Sequence, residues 1–558
     1  LFMTILSETM IENKTNIIMY DYIIVGAGSS GCALTARLIN LCPDAKIALI
    51  ESGDEYLSPL SRPPTEQGSL PNDEFSTSER FPETWNHPKA NRGYRTVPQK
   101  ALNNRQIAIT RADAIGGCSV VNALIWTRGF REDWDECMPD GFKGKDIESE
   151  FEWLEERIKP VRYETNFLGE KAIQAAESLG YKKTKYSLWE SPGTSNGTRI
   201  AIDGDGRRQD VYRALGANDS RITLLKGSAE KIIFDYSSEG TPYASGVLLK
   251  MGNGSSKELF IQDKGGEVIL SCGAIDSPKL LQLSGVGPKH LLEDLDIPLV
   301  LDSPVGEGLK DHPLVVMSFE ASKLPEKRSP NAINASLYDE SLDIQFQFID
   351  GNCNTSFIPL SLIEPCRERK ATNIIEKLKN AAALSGMTVL AFILSTLAAT
   401  VPPFRAKLQT SFGVLLSVMK PTSTGSVMIR SKDPTDAPLI DTGILSDERD
   451  MNTMIKAVQK MKELVKTSPL KEVVGAELTP SAEGSDEVKE LIRKTASVYH
   501  HSTGTCSSCL DDKLRFRGID RLRVADASSL LFHPRVPTNA SSMAVGARCA
   551  SIIASSTG

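Results

Sequence analysis

The sequence is poor in cysteine, in positive charge and in histidine, and each shortage excludes something. Ten cysteines in 558 residues are too few for a framework of disulfide bonds. The formal net charge of -7 argues against non-specific binding of nucleic acid, which requires a positive surface. Because the chain has only six histidines, a histidine base must come from a short list of candidates.

The N-terminal residues do not resemble a targeting segment. Residues 1–16 lack both a basic start and a sustained apolar stretch, which predicts no signal peptide and favours an intracellular protein. The chain starts at Leu1 rather than at a methionine, so the compartment stays open.

An apolar run followed by a glycine-rich turn lies close to the start of the chain. Residues 22–31 read YIIVGAGSSG, a GxGxxG pattern. Gly26 permits a tight exit from a strand, Gly28 lets a pyrophosphate approach the backbone, and Gly31 allows a helix to pack closely on the sheet. Phosphates would then lie at the helix N-terminus, where free N–H groups and the helix dipole favour negative charge. The pattern predicts a dinucleotide site; the alternative is an ordinary strand-to-helix turn.

An acidic residue at the expected distance supports the dinucleotide interpretation. Glu51 ends a second apolar run, KIALIE, twenty residues after Gly31. Its carboxylate would accept hydrogen bonds from the hydroxyls of an adenosine ribose and would repel a 2′-phosphate. NADP is therefore disfavoured, and FAD and NAD both remain.

Hydrophobic patterning divides the rest of the chain into two interleaved regions. Three segments are predicted to be strands: 221–235, 243–251 and 265–271. Residues 451–466 have the spacing of an amphipathic helix, and the last sixty residues return to an α/β pattern. Residues 58–80, rich in Pro, Ser and Glu, are predicted to form a loop that covers a cofactor.

One apolar segment is long enough by count to cross a membrane. Residues 380–404 carry no charge and lie between Lys379 and Arg405. A single crossing would place Gly26 and His501 on opposite sides of the membrane, where they could not form one site. A buried helix or the lining of an apolar substrate channel is the favoured interpretation, and peripheral contact with a membrane is the alternative.

Three further motifs decide between the cofactors. Residues 116–129 read GGCSVVNALIWTRG, residues 273–287 read GAIDSPKLLQLSGVG, and residues 501–506 read HSTGTC, followed at 522–550 by LRVADASSLLFHPRVPTNASSMAVGARCA. In these motifs, and in VGEGLKDHP at 305–313, the chain resembles the glucose-methanol-choline (GMC) family of FAD-dependent oxidoreductases. The resemblance extends from about Tyr20 to the C-terminus.

This resemblance implies FAD as the cofactor and an α/β fold. We expect a Rossmann-like FAD-binding domain built from discontinuous segments, 20–312 and 496–558. Residues 313–495 would form an α+β substrate-binding domain with a mostly antiparallel, six-stranded sheet. Members that bond FAD covalently carry a histidine where this chain has Val121, so we expect FAD to be held non-covalently.

The resemblance, together with the dinucleotide pattern, also assigns residues to the cofactor site. They are Gly26, Gly28, Ser29, Ser30, Gly31, Glu51, Gly116, Gly117, Ser119, Asn122, Ala123, Ala229, Asp526, Ala527 and Asn539. The chain departs from the family pattern at Asp113, at Cys118-Ser119 and at Gly308.

Alcohol oxidation needs a base, because a flavin takes hydride from carbon while the hydroxyl proton leaves. A histidine suits this role, since its unperturbed pKa of about 6.5 leaves it largely neutral near neutral pH. By the family pattern, in which the histidine precedes Gly-Thr by two residues, His501 is the base. A competing alignment selects His500, next to Tyr499, and a structural role for both is the remaining alternative.

The second active-site residue of the family does not align with a suitable side chain. Alignment through Asp526 places Pro537 at a position that is histidine or asparagine in most relatives. Proline has neither a side-chain hydrogen-bonding group nor an N–H. His533 and Asn539 are the candidate substitutes, and Asn539 also aligns with an asparagine near the flavin ring.

Several other residues are expected to be structural. Cys506 and Cys509 have CxxC spacing without a second ligand pair, and no metal site is expected. We expect His312 to cap a turn and Trp126 to pack near the flavin ring. Three methionines, Met451, Met454 and Met461, are expected in a helix core.

We therefore expect the oxidation of a primary alcohol, aliphatic or aromatic, to the aldehyde, with O2 or another electron acceptor. The apolar segment 380–404 favours an apolar alcohol over a sugar or choline. Two alternatives keep the flavin. One is a related flavoenzyme with another reaction, either a hydroxynitrile lyase or a fatty-acid photodecarboxylase, in which Arg430 would bind the fatty carboxylate. The other is a flavin-binding protein without turnover.

Overall fold

A computed structural model describes residues 18–55, 90–184, 194–196, 198–202, 208–322, 333–350, 411–479 and 482–557. Two large sheets organise these residues. Each sheet collects strands from distant parts of the chain, and the site lies between the two.

The first sheet has eight strands, and its central part is parallel. In spatial order the strands are Met19–Tyr20, Ser256–Ile261, Pro242–Met251, Ile222–Tyr236, Ile47–Glu51, Tyr22–Val25, Glu267–Leu270 and Leu522–Val524. The last five pair in parallel, and the apolar side chains of the last four are buried on both faces. In register, Val25 pairs with both Ile50 and Leu270, so their carboxyl ends meet at one edge. Such an edge is where open α/β sheets bind ligands.

The helices of the described residues cover these sheets. In chain order they are α1 Ser29–Leu41, α2 Arg131–Cys137, α3 Gly144–Ile158, α4 Phe167–Ser178, α5 Val211–Ala214, α6 Gly273–Leu283, α7 Lys289–Asp294, α8 Glu448–Val465, α9 Ser485–Thr495 and α10 Asn539–Thr557.

Helices α1 and α10 pack against each other beside the first sheet. A Cβ atom on Gly546 would lie 2.3 Å from the carbonyl oxygen of Ser30, so this crossing requires glycine. The Ser30 hydroxyl donates a hydrogen bond of 2.6 Å to the carbonyl of Ala525. The C-terminal segment is thereby fixed against the glycine-rich turn.

The second sheet also has eight strands and is antiparallel apart from one short pair. Seven strands follow in the order Val474–Glu477, Pro313–Ala321, Ser411–Val418, Ile344–Asp350, Ile333–Asp339, Thr194–Asn196 and Lys183–Thr184, and Ser497–Val498 pairs with Pro313–Ala321. Its apolar face packs on α4, α8 and α9 in a second core, separate from the core of the first sheet.

Short strands complete the described structure. One small sheet contains Glu307–Leu309, Gly425–Met428 and Leu439–Asp441, and three strand pairs are Val286–Gly287 with Leu301–Asp302, Tyr94–Arg95 with Ala108–Ile109, and Val161–Tyr163 with Thr198–Ile200.

The predicted fold class is confirmed: an α/β domain from discontinuous segments and a second, mostly antiparallel sheet. Two details differ. The second sheet has eight strands rather than six in the described part of the chain. Its strands also cross the predicted domain boundaries, because residues 183–184, 194–196 and 497–498 join it.

Two predictions lie outside the described residues: the covering loop at 58–80 and the apolar segment 380–404. Within the part of the chain that the structure describes, no helix combines the length and the apolar character needed to span a membrane.

Candidate active site

A large cleft opens at the carboxyl edge of the first sheet and reaches the second sheet. Its cavity volume is about 290 Å³. Its walls come from the turn after Val25, the loop 110–125, helix α6, three side chains of the second sheet and residues 499–542. Segments that are hundreds of residues apart in sequence therefore form one cleft.

The glycine-rich turn has the geometry predicted from its sequence. Gly26 has a φ of +103°, and a Cβ atom there would lie 2.6 Å from the carbonyl oxygen of Ser271. A Cβ atom on Gly31 would lie 1.9 Å from the carbonyl oxygen of Gly26. Neither position has room for a side chain, so Gly26 and Gly31 set the close packing of α1 on the sheet.

Gly28 has a different role, because it faces the cleft. The nearest atom to a Cβ built on Gly28 is the Cα of Gly117, 3.9 Å away. Gly28 lines the cleft directly before the first residue of α1, Ser29, and no acidic residue occupies the first turn of that helix. Bare backbone and a helix N-terminus thus meet at this wall, which suits a pyrophosphate.

Glu51 lies in the same cleft at the end of its strand. Its carboxylate accepts hydrogen bonds of 2.9 Å from the backbone N–H groups of Ala27 and of Gly53. Burial raises the pKa of Glu51, and the nearby Arg92 and these N–H groups oppose that rise. The Ser52 hydroxyl also donates to this carboxylate, at 3.4 Å. Because a carboxylate has about four acceptor positions, Glu51 retains acceptor capacity for a ribose hydroxyl.

The C-terminal segment supplies the opposite wall. Asp526 accepts hydrogen bonds from the N–H of Gly273 at 2.8 Å and from the hydroxyls of Ser277 and Ser528, each at 2.6 Å. These bonds tie α6 to the segment that leads into α10. The Ser29 hydroxyl donates to the Asn539 amide oxygen at 2.6 Å, so the N-termini of α1 and α10 meet at the cleft.

Most of the predicted cofactor residues line this one cleft. They are Gly26, Gly28, Ser29, Ser30, Glu51, Gly117, Asn122, Ala123, Ala229, Asp526, Ala527 and Asn539. Three others are not among its lining residues. Gly31 packs against Gly26, Gly116 donates its N–H to the carbonyl of Ala27, and the hydroxyl of the buried Ser119 bonds to the carbonyl of Gly116 and the N–H of Val211. These three shape the wall from behind, and a direct contact of Ser119 with the cofactor stays a prediction.

These features fit an FAD-like dinucleotide. The glycine turn leaves a wall of bare backbone, two helix N-termini supply positive potential, and Glu51 lies where a ribose-binding acid is needed. Val121 lines the cleft and carries no atom that could bond covalently to a flavin.

The part of the cleft next to the second sheet is apolar. Ile125, Ile333, Ile349 and Leu415 belong to one buried cluster, and all four line the cleft. Tyr499 packs against this cluster, and its hydroxyl donates to the Gln347 amide oxygen. A ligand that extends beyond the dinucleotide wall therefore meets aliphatic side chains.

Both predicted base candidates line the cleft, but their ring nitrogens have different partners. His500 has a φ of +64°, and its Nδ1 accepts the N–H of Thr110 at 3.2 Å. In His501, Nδ1 lies 2.9 Å from Nδ1 of His312, and the backbone N–H donates to the buried Asp311 at 2.8 Å. Nε2 of His501 is thus the ring nitrogen that His312 leaves free.

His312 was not expected here. It is fully buried behind His501 rather than capping a turn, so that prediction is wrong. Its ring centroid lies 3.9 Å from that of His533, whose Nδ1 contacts the Thr503 hydroxyl at 2.8 Å. His533 is not among the residues that line the cleft, so it does not substitute for Pro537, which does.

The available sequence signal for this cluster was the rarity of histidine. Four of the six histidines gather at one place, and two of them, His312 and His533, lie within the motifs at 305–313 and 522–550. Nothing in the local patterns indicated that these motifs meet.

Burial keeps all four of these histidines neutral near pH 7. It lowers the pKa of His312 and of His500 to about 3, and it lowers the pKa of His501 and of His533 well below the usual range. The Arg111 guanidinium, which donates to the carbonyl of His500 at 2.9 Å, acts in the same direction on His500 and His501. Neutral imidazoles are the form that can accept a proton.

Three other predictions can be placed. Trp126 lies in the core of the first sheet and donates to Glu155 at 2.8 Å; it does not line the cleft, so packing beside a flavin ring is wrong. Arg430 is exposed and also lies away from the cleft lining, which removes it as a partner for a carboxylate there. The predicted helix-core methionines, Met451, Met454 and Met461, are buried in α8 as expected.

Comparison with known proteins adds family information. Residues 20–314 and 421–546 match the N-terminal and C-terminal family models for GMC oxidoreductase. The chain is 28% identical over 570 residues to an alcohol dehydrogenase [acceptor] of Pseudomonas putida, covering 96% of each protein. It is 28% identical over 589 residues to choline oxidase of Arthrobacter globiformis, covering 96% of this chain and 94% of that protein.

Solved structures of the same architecture exist. Pyridoxine 4-oxidase from Mesorbium loti superposes with a TM-score of 0.75 at 21% identity, covering 95% of this chain and 98% of that chain. At 21% identity this similarity supports a shared fold and nothing more.

Proposed function

This chain belongs to the GMC family of FAD-dependent oxidoreductases, and on that premise we propose that it oxidises a primary, apolar alcohol to the aldehyde. His501 is the proposed base. The observation that carries the proposal is a neutral imidazole with one free ring nitrogen, placed in a cleft that is dinucleotide-like on one side and apolar on the other.

FAD, when bound, accepts the carbon-bound hydrogen together with its electron pair. The hydroxyl proton needs a separate acceptor, and His501 Nε2 is available for it because Nδ1 faces His312. Removing that proton makes the carbon a better hydride donor. The alcohol would leave as the aldehyde. O2 or another electron acceptor would take up the electron pair, and the proton held by His501 would leave with it.

His500 is poorly suited to the same step. Its Nδ1 accepts the N–H of Thr110, so the proton of the neutral ring is on Nε2. Nε2 is then a donor rather than a base. This supports His501 over its neighbour.

Asn539 is the proposed polar partner in place of the proline at 537. Its amide oxygen is taken by the Ser29 hydroxyl, which leaves the NH2 group as a donor at the cleft. Such a donor would stabilise negative charge on the alcohol oxygen or on the flavin as the reaction proceeds.

The apolar cluster supports an aliphatic or aromatic alcohol rather than choline or a sugar. Among the described lining residues the carboxylates are Glu51, Asp276 and Asp526, and each is hydrogen-bonded on the dinucleotide side. A quaternary ammonium or a set of sugar hydroxyls would find few partners among the isoleucine and leucine side chains.

Product analysis tests this function. Purified enzyme is incubated with hexanol, benzyl alcohol, choline or glucose and an artificial electron acceptor, and the products are identified by mass spectrometry. We expect hexanal or benzaldehyde from the apolar alcohols. Oxidation of choline or glucose, with neither aldehyde formed, would overturn the substrate assignment.

We also propose that FAD is bound non-covalently, because Val121 offers no atom for a bond. Precipitation of the protein with acid should release yellow FAD into the supernatant. Flavin that stays in the pellet would contradict this.

A further inference from the structure

Three histidines, His312, His500 and His533, lie around the proposed base, and one of them controls its hydrogen bonding. Nδ1 of His312 lies 2.9 Å from Nδ1 of His501, with the two rings nearly perpendicular at 89°. This is a hydrogen-bond distance. His312 is fully buried, so water does not compete for this contact.

A contact between two ring nitrogens admits only one proton. If both rings are neutral, one Nδ1 carries the hydrogen and the other accepts it. If His501 donates, its proton is on Nδ1 and Nε2 carries the lone pair. If His312 donates, His501 holds its proton on Nε2 and cannot act there as a base.

The role of His501 as a base favours the first arrangement. When His501 takes up the alcohol proton at Nε2, both of its ring nitrogens carry hydrogen. The contact of 2.9 Å between the two Nδ1 atoms then remains a hydrogen bond only if Nδ1 of His312 carries a lone pair. If His501 already donates from Nδ1 before the reaction, this hydrogen bond is kept throughout the proton transfer.

We propose that His312 is a positioning residue that holds His501 as the Nδ1–H tautomer, so that the Nε2 lone pair faces the substrate. The proposal deepens the function given above and rests on His501 being the base. This arrangement matches a general pattern in which a third group orients the catalytic base. After proton uptake, the neutral Nδ1 of His312 still accepts the Nδ1–H of the His501 imidazolium.

Two further residues, His533 and Asp311, contact this pair. His533 packs against His312, with ring centroids 3.9 Å apart, and its Nδ1 contacts the Thr503 hydroxyl. Asp311 accepts the backbone N–H of His501 and the hydroxyl of Ser502, each at 2.8 Å. The neighbour of His312 in sequence therefore holds the backbone of His501 beside it.

The tautomers can be observed directly. Holoenzyme labelled with ring-15N histidine carries six labelled side chains, and long-range 1H–15N spectra distinguish a protonated ring nitrogen from one with a lone pair. His501→Ala and His312→Leu identify the two relevant signals. We expect His501 as Nδ1–H and His312 as Nε2–H at pH 7.5.

Rates of flavin reduction give a second readout. His312→Leu keeps a similar volume but cannot accept a hydrogen bond, so reduction by the alcohol should slow by about 10- to 100-fold. His312→Asn places an amide oxygen where Nδ1 was, and it should restore the rate to within about threefold of wild type. His290→Leu, at an exposed histidine, is the control and should change nothing.

The outcomes separate the inference from the proposed function. A wild-type His501 with its proton on Nε2 overturns the inference, and so does an unchanged rate in His312→Leu with full flavin content. If no alcohol reduces the wild-type flavin, the proposed function fails. The tautomer measurement then still decides the inference, since it needs no turnover.

Discussion

His500 and His501 are neighbours in sequence, but their ring nitrogens have different hydrogen-bond partners. His500 holds a left-handed backbone conformation and bonds to the backbone of Thr110, whereas His501 pairs with another histidine and leaves Nε2 free. A sequence pattern could nominate both residues. Only the hydrogen-bond partners distinguish a donor from an acceptor.

The first prediction concerns this pair. His501→Ala should reduce the rate of flavin reduction by an alcohol by about 10²- to 10⁴-fold, because the proton acceptor is lost. His500→Asn tolerates the left-handed backbone and keeps an acceptor for Thr110, so it should cost less than about tenfold. Anaerobic stopped-flow absorbance, with flavin content measured for each variant, checks both. Full turnover in His501→Ala would refute the assignment.

The buried histidines also predict how stability depends on pH. Their pKa values are lowered in the folded protein, to about 3 for His312, while the unfolded chain takes up protons near pH 6.5. The contribution of these histidines to the free energy of unfolding should therefore be complete above about pH 6.5 and should decrease as the pH falls towards 3. Burial raises the pKa of the carboxyls of Asp311 and Asp526. Those two groups act with the opposite sign, at lower pH.

Urea unfolding of wild type and His312→Asn between pH 7.5 and 5 measures this effect. His312→Asn removes one buried histidine. Between pH 7.5 and 5 its free energy of unfolding should therefore fall less than that of wild type, by about 1 kcal/mol or more. Parallel curves for the two proteins would show that His312 is not held neutral by the fold.

At the scale of elements, the strand–turn–helix unit was predictable because its constraints are local. The Gly26, Gly28 and Gly31 pattern, the apolar strand before it and Glu51 after it all lie within thirty residues of each other. In the structure Gly26, Gly28 and Glu51 line the cleft, whereas Gly31 packs against Gly26. The strands predicted at 221–235, 243–251 and 265–271 also appear, at Ile222–Tyr236, Pro242–Met251 and Glu267–Leu270.

What the sequence could not predict depends on contacts between distant elements. His312 and His501 are 189 positions apart, and no local pattern encodes that the DHP segment lies behind the HSTGTC segment. The exposed Arg430 and the deeply buried Trp126 were misplaced for the same reason. Residue type indicates which chemistry a side chain can do, and the tertiary fold decides whether it reaches the cleft.

Two glycines of the same turn should respond differently to substitution. Gly31→Ala would place a methyl group 1.9 Å from a backbone carbonyl, so it should destabilise the protein by about 2–3 kcal/mol or more. A methyl group on Gly28 has 3.9 Å of clearance from Gly117, so Gly28→Ala should fold normally. Because that methyl group enters the cleft, it should weaken FAD binding by about tenfold or more.

Thermal unfolding of the flavin-free protein and FAD titration separate these two effects. Gly252→Ala, where a Cβ atom meets nothing within 4 Å, is the matched control. Equal FAD affinity of Gly28→Ala and wild type would show that the cofactor does not approach this backbone.

At the scale of the whole molecule, the two sheets supply different walls of the cleft. The first supplies the carboxyl edge with the glycine turn and Glu51, and the second supplies aliphatic side chains such as Ile349 and Leu415. Residues from the segment 499–542 line the cleft and include the proposed base. Described segments from Val25 to Ser542 must therefore come together before the site exists.

The visible spectrum of the purified protein, recorded without oxygen before and after hexanol is added, tests this account most directly. We predict the absorbance of about one FAD per chain, and its loss in the dark as the alcohol is oxidised. A colourless protein that takes up no FAD on reconstitution would contradict the cleft assignment. A yellow protein whose flavin no alcohol bleaches would contradict the proposed reaction.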